Sequence, residues 1–130
     1  MALDARSPDR IGRYRRGRFS EIVGAAALMA KGYRILARRC RTPFGEIDVI
    51  AVRGRKLIFV EVKRRTSWLE AEAALSSRQA GRIARAAEYW VHRNPRFRDY
   101  ETSIDALLMV PGRLPRHLPG ALNVVSGRRR

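Results

Sequence analysis

Gly45-Glu46-Ile47-Asp48-Val49-Ile50-Ala51-Val52-Arg53-Gly54-Arg55-Lys56-Leu57-Ile58-Phe59-Val60-Glu61-Val62-Lys63 is the stretch that decides how this chain folds. Two β-branched and aromatic runs flank a glycine, which reads as a strand over Gly45–Val52, a tight turn at Gly54 and a strand over Lys56–Arg64. The second run is apolar on both faces, Leu57 and Phe59 on one and Ile58, Val60 and Val62 on the other. A strand of that kind is central in its sheet and covered by helices on both sides.

The same stretch carries an unusual set of acids. From Arg10 to Leu69 the only carboxylates are Glu21, Glu46, Asp48 and Glu61, set among sixteen Lys and Arg residues. Side chains alternate along a strand, so Glu46 and Asp48 share one face, as do Glu61 and Lys63. A two-residue loop at Gly54-Arg55 pairs Arg53 with Lys56, and that register puts Asp48 opposite Glu61 and Glu46 opposite Lys63. A slip of one residue would send the two pairs to opposite faces. Three carboxylates on one patch repel one another unless a cation intervenes, and hard oxygen ligands suit Mg²⁺ or Mn²⁺. Such an ion polarises a phosphodiester and lowers the pKa of water, while Lys63 orients that water or stabilises developing negative charge. Asp48, Glu61 and Glu46 are therefore the expected metal ligands.

Each acid also has a plain structural reading. Glu61 and Lys63 alone would be a strand-end ion pair. Glu46 would be a solvated turn residue, and Glu21 a first-turn glutamate favoured by the helix dipole. Four such coincidences in a segment otherwise almost free of acid favour the shared site. The sequence offers no Ser/His/Asp triad, no zinc-spaced Cys/His set and no phosphate-binding glycine loop.

Working outward, Gly17 to Lys31 reads as a helix with apolar residues on nearly every side, capped by Gly32. Tyr33–Arg39 reads as the first strand, ending before Thr42-Pro43. Thr66–Ser76 is a loop or short helix, with Trp68 exposed or lidding. A helix over Ser77–His92 has a core stripe of Ala80, Ile83, Ala84, Ala87 and Trp90, and Asn94-Pro95 stops it. Ser103–Val110 reads as a fourth strand. The order helix, three strands, helix, strand is that of an α/β single domain with a mixed central sheet flanked by helices. Residues 1–16 read as a basic flexible arm, 17–112 as the domain, and 113–130 as a basic extension with a candidate edge strand at Ala121–Val125.

The chain has 130 residues, enough for one domain that buries roughly two-thirds of its unfolded surface. Its 28 Lys and Arg against 12 Asp and Glu give a net charge of +16, which favours polyanionic partners and says nothing of fold. The single cysteine, Cys40, cannot form an internal disulfide and suits a reducing, cytoplasmic setting. Arg15-Arg16 followed by Ile22–Ala30 superficially resembles an export signal, but the apolar run is short, Ala-rich and preceded by Glu21. No run approaches a membrane span, so no membrane partner is expected.

Arg78, Arg82 and Arg85 recur at helical spacing opposite the core stripe. With Arg64 and Arg65 they form a candidate phosphate-tracking surface. The bland reading is a solvated face on an Arg-rich chain. Trp68 could stack on a base or cap the core. With no base-reading module visible, shape recognition is expected over sequence readout. Three functions remain in play: a Mg²⁺-dependent nuclease acting on DNA, with branched or damaged DNA as candidate substrates; a nucleic-acid-binding protein of the same fold with little or no hydrolysis; and a basic RNA-associated protein whose carboxylates are structural.

Four blocks resemble the YraN-like family of small bacterial proteins: Arg18-Phe19-Ser20-Glu21, Lys31-Gly32-Tyr33-Arg34-Ile35-Leu36, Phe44-Gly45-Glu46-Ile47-Asp48-Val49-Ile50 and Phe59-Val60-Glu61-Val62-Lys63-Arg64-Arg65. The likeness covers roughly residues 17 to 110. It implies a restriction-endonuclease-like PD-(D/E)xK fold, similar to archaeal Holliday-junction resolvases, with Glu21, Asp48, Glu61 and Lys63 as catalytic residues and Glu46 as a neighbouring acid. Related resolvases act as dimers, which leaves a homodimer open. The chain departs from the family pattern in three places. Arg39-Cys40-Arg41 stands where Asn-aromatic-Arg is usual, and Gln79, a candidate nucleic-acid contact, stands where the second helix often has Lys, a helix on which some related nucleases use Gln. Ser103-Ile104-Asp105 replaces Arg-Phe-Asp.

Overall fold

A computed structural model describes residues 21–123; the basic arm, the start of the expected first helix and residues 124–130 lie outside the described residues. The elements are α1 (residues 21–30), β1 (Arg34–Thr42), β2 (Gly45–Arg53), β3 (Lys56–Arg64), α2 (Trp68–Ala73), α3 (Ser77–Arg93), a 3₁₀ turn (Pro95–Phe97), β4 (Glu101–Met109) and β5 (Arg116–Leu118). One five-stranded sheet runs β1-β2-β3-β4-β5. The first three strands are an antiparallel meander. After α2 and α3, β4 joins β3 in parallel, and β5 closes the far edge antiparallel.

The doubly apolar β3 is central, as its sequence requires. Leu57 and Phe59 pack with Ile83, Ala86 and Ala87 of α3, whereas Ile58 and Val60 pack with Leu28 of α1. Gly24 lets α1 lie close on the sheet, because a Cβ there would sit 2.6 Å from Leu107 Cδ2. Ser76 caps α3 by accepting from Gln79 N at 3.2 Å, and Asn94-Pro95 ends it. α2 is the short-helix alternative for the segment after β3, with Ser67 as its cap.

Three expectations need correction. β1 begins one residue later than read and continues through Arg39 to Thr42. Its alternation is scrambled by a register shift between Ile35 and Ala37 and by Arg39 at φ 54°, in the left-handed region. α1 is not buried on most sides: Ile22 is 53% and Met29 59% exposed, so one apolar stripe faces outward. The closing edge strand is Arg116–Leu118 rather than Ala121–Val125, of which Val124 and Val125 fall outside the described residues.

Polar chemistry explains that last difference. Asp105, fully buried, accepts from Ser103 Oγ at 2.5 Å, His117 Nε2 at 2.7 Å and Gly120 N at 2.8 Å. Burial alone would raise this carboxyl, but the hydrogen bonds from His117, Ser103 and Gly120 outweigh it and hold it below the usual range. Lys31 Nζ meets the other ring nitrogen of His117, tying β5 to the end of α1. Leu122 and Asn123 still close the β4 edge as a turn, with Leu122 N donating to Ile104 O and Asn123 Oδ1 accepting from Ile104 N.

Candidate active site

The β2–β3 hairpin has the expected register, from Arg53 opposite Lys56 to Val49 opposite Val60. There the ladder stops. Asp48, next in line and due to face Glu61, accepts from Val62 N through Oδ2 at 2.7 Å, so a side chain replaces the backbone bond and the strands part. Strict alternation also fails at this point. Ile47 packs on the α3 side and Val49 on the α1 side, although residues two apart should share a face. The strand turns about its axis at Asp48.

Glu61 lies on the α3 side and is 7% exposed. Gln79 Nε2, in the first turn of α3, donates to its Oε2 at 2.9 Å. Lys63 Nζ stands 3.3 Å from the same oxygen, with both side chains largely buried. One turn along α3, Arg82 Nη2 is 3.8 Å from Oε1, and its Nη1 reaches Glu46 O at 3.4 Å. The Arg82 guanidinium passes against Gly45, where any side chain would collide with it and where φ is +122°. The glycine of the Gly-Glu-Ile-Asp block thus admits the arginine that braces Glu61.

Burial pushes the Asp48 carboxyl up to about 7; the charges of Glu61, then Glu21 and Glu46, add to this, and the Val62 hydrogen bond opposes it. Asp48 is thus bonded to the residue next to Glu61, and the two acids crowd each other's charge. Glu46 lies at the rim, 3.9 Å from the exposed Arg41, which is its cross-strand neighbour. Glu21 reaches Arg39 Nε at 3.3 Å. Among the described residues no three His, Cys, Asp or Glu side chains gather as a metal cage, so the arrangement is a carboxylate pair with two outlying acids in place of the expected three-acid patch. Its donors still fit Mg²⁺ or Mn²⁺, which take one or two carboxylates and complete their shell with water and phosphate oxygens. Cys40 is close by, but burial and Glu46 raise its thiol, which keeps it protonated and unreactive at neutral pH.

The basic helix face divides. Arg78 and Arg85 are exposed, whereas Gln79 and Arg82 are half-buried and turned toward Glu61. Arg65 is exposed and Arg64 half-buried, both leading out of β3 beside the site. The sequence reading missed the bracing roles of Gln79 and Arg82, although their spacing of three on a helix is a usable signal. Nothing in the sequence signals that Arg39 would adopt a left-handed backbone. A cleft lined by Ala84, Val91, Tyr100 and Ile104 shares no residue with this site. Among the described residues no helix is long and apolar enough to cross a membrane.

The profile of the uncharacterised protein family UPF0102 matches residues 20–109, the span that holds all of these groups. A UPF0102 protein of Rhodopseudomonas palustris (strain BisB5) is 50% identical over 117 residues, covering 90% of this chain and 89% of the relative. A UPF0102 protein of Nitrobacter winogradskyi is 48% identical over 114 residues, 88% of this chain and 97% of the relative. One from Bradyrhizobium diazoefficiens is 47% identical over 117 residues, 90% of this chain and 88% of the relative. With half of its residues shared along nearly the whole length, the chain belongs to the UPF0102 family.

Proposed function

We propose that this protein is a Mg²⁺- or Mn²⁺-dependent endonuclease of restriction-endonuclease-like PD-(D/E)xK type that hydrolyses DNA phosphodiesters. The observation that carries the reading is Asp48 bonded to Val62 N, one residue from Glu61, with Lys63 on Glu61, where β2 and β3 part. Asp48 and Glu61 would hold the ion, which supplies Lewis-acid polarisation of the phosphate and a water acidified toward neutral pH. Gln79 and Arg82 fix the Glu61 carboxylate, so its orientation costs little at the moment of reaction. Lys63, on the strand face shared with Glu61, directs its ammonium at the attacking oxygen or at the charge growing on the phosphate. The +16 charge draws the polyanion to the surface, with Arg65, Arg78 and Arg85 exposed to meet it. A site reached between strands by phosphate contacts reads shape, which favours branched or damaged DNA over a fixed sequence.

One observation favours a second reading. Both Glu61 oxygens already face donors, Lys63 and Gln79 on one and Arg82 on the other. A carboxylate so well satisfied could serve a nucleic-acid-binding protein that keeps the fold without hydrolysis. Cleavage of branched, single-stranded and duplex DNA with Mn²⁺, by wild type, Glu61→Gln and Lys63→Ala, decides between them. The nuclease reading expects cleavage that needs the ion and falls by about a hundredfold or more in both variants. Equal residual cleavage in wild type and Glu61→Gln marks contamination and ends it. Salt-dependent binding without cleavage establishes the second reading.

A further inference from the structure

Trp68 opens α2 and packs one side on the core cluster under α3. Over its ring lies the Arg116 guanidinium, 4.1 Å from the centroid. Arg116 is 48% exposed, and its ion pair with Glu72 stretches to 4.0 Å, so the acid steadies the guanidinium without covering it. Leu69 and Leu114, in the same two segments, are 77% and 86% exposed.

The sheet register fixes where this stack stands. Lys63 pairs with Leu108, and Leu108 pairs with Arg116, so the three lie in one row across β3, β4 and β5. Residues directly opposite share a face. Leu108 packs on the α3 side, which places Arg116 on the face that carries Glu61 and Lys63. Two strand spacings, roughly 10 Å, separate the Lys63 and Arg116 backbones. Arg64, Arg65 and Thr66 span the chain between Lys63 and the Ser67 cap, so Trp68 follows the carboxylate site by a few residues.

We propose that the Arg116 guanidinium, backed by the Trp68 ring, forms a stacking platform for an unpaired nucleobase, two strands across the sheet from Lys63 in the same row. Its position relative to the scissile phosphate rests on the nuclease reading; the binding chemistry does not. Guanidinium planes and indoles stack bases of any identity, and a base can reach them only when it is out of a duplex. The platform therefore selects a strand with an unpaired base near the bond presented to Asp48 and Glu61.

The test uses the full chain in chelator, with no divalent ion. Binding of an end-labelled oligothymidylate of about a dozen nucleotides is compared with a base-free deoxyribose-phosphate chain of the same length, at matched salt. The base-bearing strand should bind about tenfold tighter or more. Arg116→Lys keeps the charge and loses the plane, so it should erase most of that difference with the salt dependence unchanged. Equal affinity for the two strands, no affinity for either, or a difference untouched in Arg116→Lys overturns the proposal. A base-dependent difference in a protein that never cleaves DNA leaves the platform standing and removes the nuclease. Cleavage without that difference removes the platform alone.

Discussion

Replacing Asp48 by Asn keeps an oxygen for the Val62 N–H but removes the proton that titrates. In the wild type this carboxyl is pushed up to about 7, against an ordinary aspartate value near 4. Between those limits the folded state holds a proton that the unfolded chain has released, so stability falls as pH rises, by about 1.4 kcal/mol per unit. The contribution is fully present below about pH 4 and lost by the time pH passes about 7. Roughly three units give about 4 kcal/mol, and residual solvent contact at Asp48 reduces this to about 2–3 kcal/mol. Urea denaturation of both proteins from pH 5 to 9 isolates the effect as a difference, because every other group titrates in both. Asp48→Asn should gain on the wild type by about 2 kcal/mol across that range, levelling off above pH 8. Saturating Mn²⁺ at pH 8 should return stability to the wild type and not to the variant, by about 1.4 kcal/mol at ten times the Kd. Stability curves that stay parallel from pH 5 to 9 would refute the buried, acid-crowded setting assigned to Asp48.

Other perturbations test the parts around it. Gly45→Ala forces a side chain into the Arg82 guanidinium at a φ of +122°, and should cost about 2 kcal/mol or more and loosen Glu61, read as a lower urea midpoint with weaker Mn²⁺ binding. Arg39 is held at φ 54°, where Asn is tolerated and β-branched residues are not. Arg39→Asn should therefore be as stable as wild type or up to about 1 kcal/mol better, after losing a half-exposed ion pair with Glu21, whereas Arg39→Val should lose more than about 1 kcal/mol. Asp105→Asn should expose the amides of β5 and the turn after it to rapid hydrogen exchange while β1–β3 stay protected. Because the wild-type Asp105 carboxyl is held low, its contribution is present above about pH 4 and lost as pH falls through its folded value, so the variant should show a shallower acid transition.

How much of this was legible can be argued from particular residues. The central hairpin was, because Gly54 and the unbroken apolar faces of Leu57–Val60 leave one register that buries both sides. α3 was, through its helical period, and so was β4, as an apolar run bounded by Pro111-Gly112, although it spans Glu101–Met109 in place of Ser103–Val110. β5 was not: Arg116-His117-Leu118 has no strand pattern, and it is held by Asp105, a contact between residues far apart in the chain. The end of β1 was hidden for another reason. A register shift at Leu36 and a left-handed Arg39 break the alternation on which strand reading depends.

Those failures of local rule cluster. Arg39 sits across from Asp48 in the β1–β2 register, and Asp48 marks the place where β2 turns and parts from β3. Arg39 also holds Glu21, so one strained residue ties α1 to β1 at the position across from the candidate metal ligand. Local conflict of this kind is destabilising and survives only where surrounding structure over-determines it. Two regular strands would hold Asp48 and Glu61 opposite each other in the backbone ladder. The parted strands instead free a carboxylate pair at the sheet interior, raise one member to about 7 and keep the other braced by α3. A cation is the simplest agent that offsets such crowding, and so the strongest argument for chemistry here is the strain that the sequence rules fail to explain.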